Sequence, residues 1–272
     1  MPWIRNGTLA AVCLALTLGP GPAITARADE PRRPNIILIM TDDQGYGELG
    51  CHGNPILKTP NLDVLHAQSV RFTDFQVSPT CSPTRASLLT GRHEFRSGVT
   101  HTILERERLS LKAVTLPRIL KAAGYSTGIF GKWHLGDEPE YQPDKRGFDE
   151  VFIHGAGGIG QTYPGSCGDA PDNGYFDPAI LHNGRFEKTK GYCTDVFFHQ
   201  ATRWIESRRG GAPFFAYITP NAPHAPYVSP GPNYDQLYAQ APLPPEAKSY
   251  YAMISNIDDN VIHLPAGTYY AA

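Results

Sequence analysis

Between Pro34-Asn35 and Asp42-Asp43 the chain runs through Ile36, Ile37, Leu38, Ile39 and Met40 without a polar residue. An apolar run that short, bounded by turn formers, predicts a strand buried on both faces. Tyr125 to Phe130 and Pro213 to Thr219 predict two further strands. Between the strands the apolar positions change to helical spacing. Thr115 to Gly124 combines a capping threonine, an early Pro117 and a closing glycine. From Thr194 to Gly210 apolar residues recur at helical intervals, and basic residues fill the last turn. A short helix is expected from Pro83 to Thr90, with Ser82 as N-cap, proline at the first helical position and Gly91 as the stop. Strands alternating with helices predict an α/β domain with a mixed, mainly parallel sheet flanked by helices. No internal repeat interrupts the pattern, and the one biased passage is proline-rich, from Pro220 to Pro245.

The loops after the strands show where chemistry is to be sought. The first strand runs into Thr41-Asp42-Asp43, the second into Gly131-Lys132-Trp133-His134, and the third into Pro220-Asn221-Ala222-Pro223-His224. In open α/β sheets ligands lie beyond the carboxyl ends of the strands, so these loops are expected to converge on one crevice. Asp42 and Asp43 are adjacent carboxylates that a hard divalent cation, Ca2+ or Mg2+, would neutralise; a solvated turn is the competing reading. Lys132 and His134 alternate around Trp133 and point toward a common ligand if the extended geometry continues. A surface turn with Trp133 half-buried is the alternative. Lysine supplies fixed charge for an anion, and histidine a hydrogen bond or a proton. His224, held between prolines, is either a rigidly placed imidazole or simply exposed.

Cys81 lies just ahead of the expected helix start, near unpaired backbone N–H groups, with Arg85 reaching back toward it. That setting stabilises an anion. It suits a thiol nucleophile of lowered pKa and equally a bound tetrahedral oxyanion such as sulfate or phosphate. Zinc at Cys81 is disfavoured, because no CxxC or neighbouring histidine pair accompanies it.

The 272 residues are 41% hydrophobic with a formal net charge of −2. That is enough for a sizeable core and excludes disorder; it also lacks the basic excess of a nucleic-acid binder, so any anion must be met by a local site. Arg5, the apolar run from Leu9 to Leu18 and the step Ala26-Arg27-Ala28 read as a signal peptide cleaved after Ala28. The product is expected to be secreted or periplasmic, with no membrane span after cleavage. Cleavage removes Cys13 and leaves Cys51, Cys81, Cys167 and Cys193. Cys167 and Cys193 flank a Gly/Pro/Asp-rich loop and are the expected structural pair.

Taken together and in order, these stretches resemble the type I, formylglycine-dependent sulfatases, and arylsulfatases in particular. CSPTRASLLTG carries that family's pattern of Cys, any residue, Pro, Ser or Thr, Arg, and its Thr-Gly helix end. PNIILIMTDDQGYGELGCHGNP, KTPNLDVLHAQSVRFTDFQ, GYSTGIFGKWHLG, RGFDEVF and APHAPY keep the family's order, so the resemblance spans Pro34 to Asn260. It implies an alkaline phosphatase-like fold and hydrolysis of a sulfate ester to an alcohol and inorganic sulfate. It further implies that a maturation enzyme oxidises Cys81 to Cα-formylglycine, whose hydrated aldehyde supplies the attacking oxygen and whose second hydroxyl drives sulfate release. Asp42, Asp43 and the modified Cys81 would then ligate Ca2+, and Arg85 would stabilise the hydrated aldehyde. Lys132 and His224 would contact the sulfate ester, and His134 the formylglycine hydroxyl. The implied substrate is a sulfated glycan or a small aryl sulfate, selected by loops such as 155–184.

Family members continue past a helix corresponding to the one beginning near Tyr250, into a strand ending in a Ser-Asp-Asn-Gly-like loop that adds two metal ligands, and then to a further lysine. Here the sequence after Val261 reads IHLPAGTYYAA, in which Pro265 and Gly267 are expected to end the helix. Asp258 and Asp259 precede any new strand and are not expected to replace those ligands. The resulting expectation is a signal peptide over 1–28, an incomplete catalytic domain over 29–262 and an aberrant tail over 263–272. A central strand would be left unpaired, exposing a sheet edge and apolar surface, and the Ca2+ shell would fall short of roughly six to eight oxygens. Two other functions stay open: a phosphate or phosphonate ester hydrolase of the same superfamily, and a truncated, catalytically dead domain that binds anions.

Overall fold

The computed structural model describes residues 33–161, 166, 170, 173–265 and 268–271. The expected signal peptide and Cys167 lie outside the described residues. Pro34–Ala272 forms one compact unit. Its strands are β1 (Ile36–Ile39), β2 (Ser126–Lys132), β3 (Glu150–His154), β4 (Ala179–His182), β5 (Arg185–Lys188), β6 (Phe214–Thr219) and β7 (Thr268–Ala271). Its α-helices are α1 (Pro60–Ala67), α2 (Cys81–Thr90), α3 (Leu116–Ala122), α4 (Cys193–Ser207), α5 (Pro232–Tyr238) and α6 (Pro245–Ile262). The strands make one sheet in the order β5-β4-β3-β2-β6-β1-β7. β3, β2, β6, β1 and β7 run parallel; β4 pairs antiparallel with β3, and β5 antiparallel with β4.

The unbroken apolar run of β1 is explained by two cores. Ile37 and Ile39 pack with Phe130, Phe152 and Ile218 against Phe197, Phe198 and Trp204 of α4 and Met253 and Ile257 of α6. Leu38 and Met40 point the other way and join Ile129, Phe215 and Tyr217 against Ala86 and Leu89 of α2. Successive strand residues face opposite sides, so a central strand covered by helices on both faces must be apolar throughout. Each large apolar side chain buried this way contributes about 1.5–3 kcal/mol.

Several local expectations are corrected. The helix expected from Pro83 starts at Cys81 instead, with Thr80 in the N-cap position and no side-chain cap. Thr115 does stand at the start of α3, but its hydroxyl donates to the Arg146 carbonyl at 2.5 Å rather than capping the helix. α4 ends at Ser207, so Arg208 and Arg209 lie beyond its last turn. Cys193 is a free thiol buried in the core, so it does not form the expected pair.

The edge of β1 is not open. Thr268–Ala271, expected to be an aberrant tail, pair in parallel with β1, with Ile37 opposite Tyr269. A β-branched residue followed by two tyrosines suits a strand, and an unpaired edge of backbone N–H and C=O groups offers it a template. Among the described residues no helix is long and apolar enough to cross a membrane.

Candidate active site

The carboxyl ends of β1, β6, β2 and β3 lie side by side and deliver Asp42, Thr219, Lys132 and His154 to one edge of the sheet. The approach between β2 and β6 is close at Gly131, where φ is +121° and any Cβ would overlap the Thr219 carbonyl oxygen. Glycine is required there by both conformation and space. From the other side, α2 brings Cys81 in its first turn and Arg85 one turn later.

Asp42 is the charge centre of this group. It is 3% exposed, with Oδ2 accepting from Lys132 Nζ at 2.5 Å and Oδ1 facing Arg85 Nη2 at 3.3 Å. Burial pushes its carboxyl up, but Lys132 and Arg85 outweigh burial and hold it at about 2. Arg85 is fully buried and also donates to the Lys132 carbonyl at 3.1 Å and to the Thr219 hydroxyl. A guanidinium spreading its donors over β1, β2 and β6 locks the strand ends together. Two buried cations against one buried carboxylate leave a positive excess, the electrostatics expected of an anion site.

Cys81 and His134 form the second half. His134 is fully buried and adopts a left-handed φ of +57°, so the backbone turns at this residue instead of continuing as a strand. Its Nε2 lies 2.9 Å from the Thr102 carbonyl and 3.2 Å from Glu107 Oε2. Both partners are acceptors, so Nε2 carries the proton. Nδ1, buried and without a hydrogen-bond partner, is then the basic nitrogen available to residue 81. Burial pushes the imidazole down, and its interactions with Cys81 and Glu107 more than reverse this. For Cys81, burial raises the thiol, while His134 and Lys132 bring it below its ordinary range. Trp133 between them is 1% exposed, which rules out the surface-turn alternative.

His224 stands at the mouth of the group. Its Nδ1 lies 2.5 Å from the Ala225 carbonyl, which leaves Nε2 free for a ligand, 3.6 Å from Asp43 Oδ2. Gly157 and Gly158 form a common wall, since a Cβ would come within 3.4 Å of His134 at the first and 3.3 Å of His224 at the second. Asp43 does not share the setting of Asp42. It sits at φ +61° with its side chain 58% exposed. The two adjacent carboxylates therefore diverge, one paired with cations and one facing solvent.

Two residues in the group carry no motif in the sequence. Glu107, 2% exposed, anchors His134 from a short 3-10 turn remote in sequence. His154, 1% exposed, ends β3 opposite Lys132. Its place after an apolar strand is the one available signal. Asp258 is accounted for elsewhere: it accepts from the backbone N–H groups of Asn61 at 3.2 Å and Leu62 at 2.7 Å and so caps α1.

The donor set can be tested against Ca2+. Asp42, Asp43 and an oxygen on a modified residue 81 are hard donors of the right kind, and each carboxylate oxygen has lone pairs beyond its present partners. They supply fewer than the roughly six to eight oxygens that Ca2+ takes.

Comparison with known proteins bears on the family and the fold. The family model described as Sulfatase matches residues 34–264. Arylsulfatase J of Mus musculus is 32% identical over 240 residues, covering 84% of this chain and 38% of its own length. The crystal structure of Ps i-CgsB in complex with k-i-k-neocarrahexaose superposes with a TM-score of 0.73 at 29% identity, over 86% of this chain and 54% of that one. BT4656 in complex with its substrate D-glucosamine-2-N,6-O-disulfate gives a TM-score of 0.64 at 30% identity, over 78% of this chain and 39% of that one. The chain thus spans about half the length, or less, of the relatives it matches.

Proposed function

Because the chain belongs to the sulfatase family, we propose that its buried cluster is the nucleophile-and-anion half of a sulfuric ester hydrolase. The observation that carries this is the convergence of Cys81, His134, Lys132, Arg85 and Asp42 at the carboxyl ends of parallel strands. A formylglycine at position 81 would supply an oxygen nucleophile in place of the thiol, and Ca2+ held by Asp42, Asp43 and residue 81 would add fixed positive charge. The formylglycine-generating enzyme is the partner this maturation requires, and export is the matching compartment.

The chain's own residues do the rest. Lys132 and Arg85 hold positive charge where the oxygens of a sulfate group settle, and burial strengthens each interaction. His134 Nδ1, backed by Glu107 through Nε2, takes a proton from the hydroxyl of the modified residue 81. His224 Nε2 faces the outer side of the site and contacts the ester there, while the Lys132 ammonium, which carries N–H donors, is placed to assist the departing alcohol oxygen. A sulfated sugar or an aryl sulfate is the substrate class, supported by the sulfated sugar bound to BT4656. Initial rates on 4-nitrophenyl sulfate and 4-nitrophenyl phosphate, for protein co-produced with a formylglycine-generating enzyme, test the proposal. Faster sulfate turnover that disappears in Cys81→Ala supports it; preference for phosphate moves the chain to the ester-hydrolase alternative.

One observation favours a second reading, an anion-binding domain without turnover: both Asp42 oxygens already face Lys132 and Arg85, and Asp43 faces solvent. Sulfate binding by calorimetry, with no hydrolysis in Ca2+ and with formylglycine confirmed by mass spectrometry, would select it.

A further inference from the structure

Outside the catalytic group, Cys51, His52 and His66 present one ligand atom each, all within 4.8 Å of one another. We propose that these three side chains form a zinc site that staples the loop after β1 onto helix α1.

The loop is already shaped for this. Gly50–His52 forms a single 3-10 turn closed by Gly53 at φ +94°. That turn is fastened to α1 by the Gly50 N–H donating to Thr59 Oγ1 and the Cys51 N–H donating to Asp63 Oδ1, both at 2.8 Å. Asp63 Oδ1 also accepts from the Thr59 hydroxyl at 3.1 Å. His66 comes three residues after Asp63, so it rises on the same face of α1, toward the turn.

Both imidazoles are prepared as ligands. His52 Nδ1 lies 2.7 Å from the Tyr46 carbonyl, so Nδ1–H donates and Nε2 keeps its lone pair. That backbone bond, with the Tyr46 ring stacked at 4.6 Å, fixes the orientation of His52. Such outer support is the usual companion of a metal-bound histidine. His66 Nε2 is buried and has no hydrogen-bond partner, although the His66 ring meets His52 edge-on at 5.9 Å. A lone pair shielded from water and left without a donor is a cost that a metal ion removes.

One thiolate and two imidazoles form a borderline-soft set that selects Zn2+ over Ca2+ or Mg2+. Tetrahedral zinc with these ligands places its donors about 3.5 Å apart. Donors now within 4.8 Å reach that spacing by small side-chain rotations. The fourth position remains for water. The occupied site would tie residues 50–52, and through them the segment starting at Asp42–Asp43, to a helix that α6 caps through Asp258.

The test is Co2+ titration of the full chain in a Cys81→Ser background, so that no other active-site thiol contributes. A thiolate-to-cobalt charge-transfer band saturating at one equivalent, displaced by Zn2+ and untouched by excess Ca2+, is expected. Cys51→Ser should abolish the band, and His66→Gln should weaken Zn2+ binding more than about tenfold. Circular dichroism confirms that each variant is folded, and His52→Gln provides the second imidazole test if either is not. No band in the folded Cys81→Ser protein, or a band that survives the added Cys51→Ser in folded protein, overturns the site.

Discussion

His154 offers a prediction whose size comes from its surroundings. The side chain is 1% exposed, Nδ1 lies 2.9 Å from the Gly155 carbonyl, and the buried Nε2 has no partner. Burial pushes the imidazole down, the Gly155 carbonyl resists, and nearby Lys132 and Arg85 add to burial, so the group sits at about 3 against an ordinary 6.5. In the unfolded chain the same imidazole takes up a proton near 6.5. Below that pH the unfolded state binds more protons, so stability falls as pH falls, and the loss stops only below about 3. The slope is about 1.4 kcal/mol per pH unit, which gives a loss of about 2 kcal/mol from this group between pH 7 and pH 5.

Urea unfolding of wild type and His154→Phe at both pH values isolates that contribution, because other titrating groups cancel in the difference. Phenylalanine suits the position, whose ring already lies 6.0 Å from that of Phe197. The variant should lose about 2 kcal/mol less than wild type on acidification. Equal losses in the two proteins would refute the idea that His154 is held neutral, and His154→Gln repeats the test if the phenylalanine variant does not fold.

In chelator-treated, metal-free protein made without maturation, iodoacetamide should alkylate Cys81 faster than Cys51, because burial raises both thiols but His134 and Lys132 bring the first below its ordinary range, while Asp63 adds to burial at the second. Mass mapping of labelled peptides reads the rates, and His134→Gln should erase the difference; equal rates in wild type would contradict the pairing. In an active preparation, Glu107→Gln should move the acid limb of the pH–rate profile down by about one unit, because it removes a charge that holds the His134 proton. An unmoved limb would remove Glu107 from that role. Gly131→Ala should cost about 2 kcal/mol or more in denaturant unfolding, since its Cβ has no room against β6; an unchanged midpoint would count against the close approach.

The fold is legible where burial is two-sided. β1, β2 and β6 are readable from apolar runs because a central strand between two helix layers has no solvent-facing positions to interrupt it. The edge strands are not legible. β5 is exposed throughout and reads Arg-Phe-Glu-Lys, a pattern set by solvent and not by packing. β7 reads as a tail because its pairing depends on β1, more than two hundred residues earlier, and short-range pattern carries no information about such a partner. The start of α2 is misread by two residues because Ser82-Pro83 imitates a cap, yet the Ser82 hydroxyl is buried without a partner.

At the site, legibility tracks strand ends. Asp42, Lys132 and His224 stand at the end of readable strands or in the loops that follow them, so their convergence could be expected. Which of Asp42 and Asp43 meets the cations could not, because Lys132 and Arg85 come from distant parts of the chain and local pattern says nothing of them. Glu107 is invisible in the sequence for a different reason. Its role depends on the bend at His134, which turns Nε2 toward a turn contributed by another part of the chain.

The charge balance of the cluster bears on what the proposed exchange of the Cys81 thiol for an oxygen nucleophile would achieve. Lys132 and Arg85 are fully buried and share one carboxylate, while Glu107 is committed to His134. Buried cations in excess are costly unless an anion meets them. A thiolate at residue 81 would supply that anion permanently and so occupy the charge that a substrate must use. A neutral, oxygen-bearing residue at the same position leaves the excess unspent. On that reading its proton would pass to His134 as the anion binds, and the attraction of Lys132 and Arg85 would fall on the incoming oxygens. On the proposed chemistry, the benefit of exchanging the thiol for a neutral, oxygen-bearing group is that this excess charge is kept for the substrate.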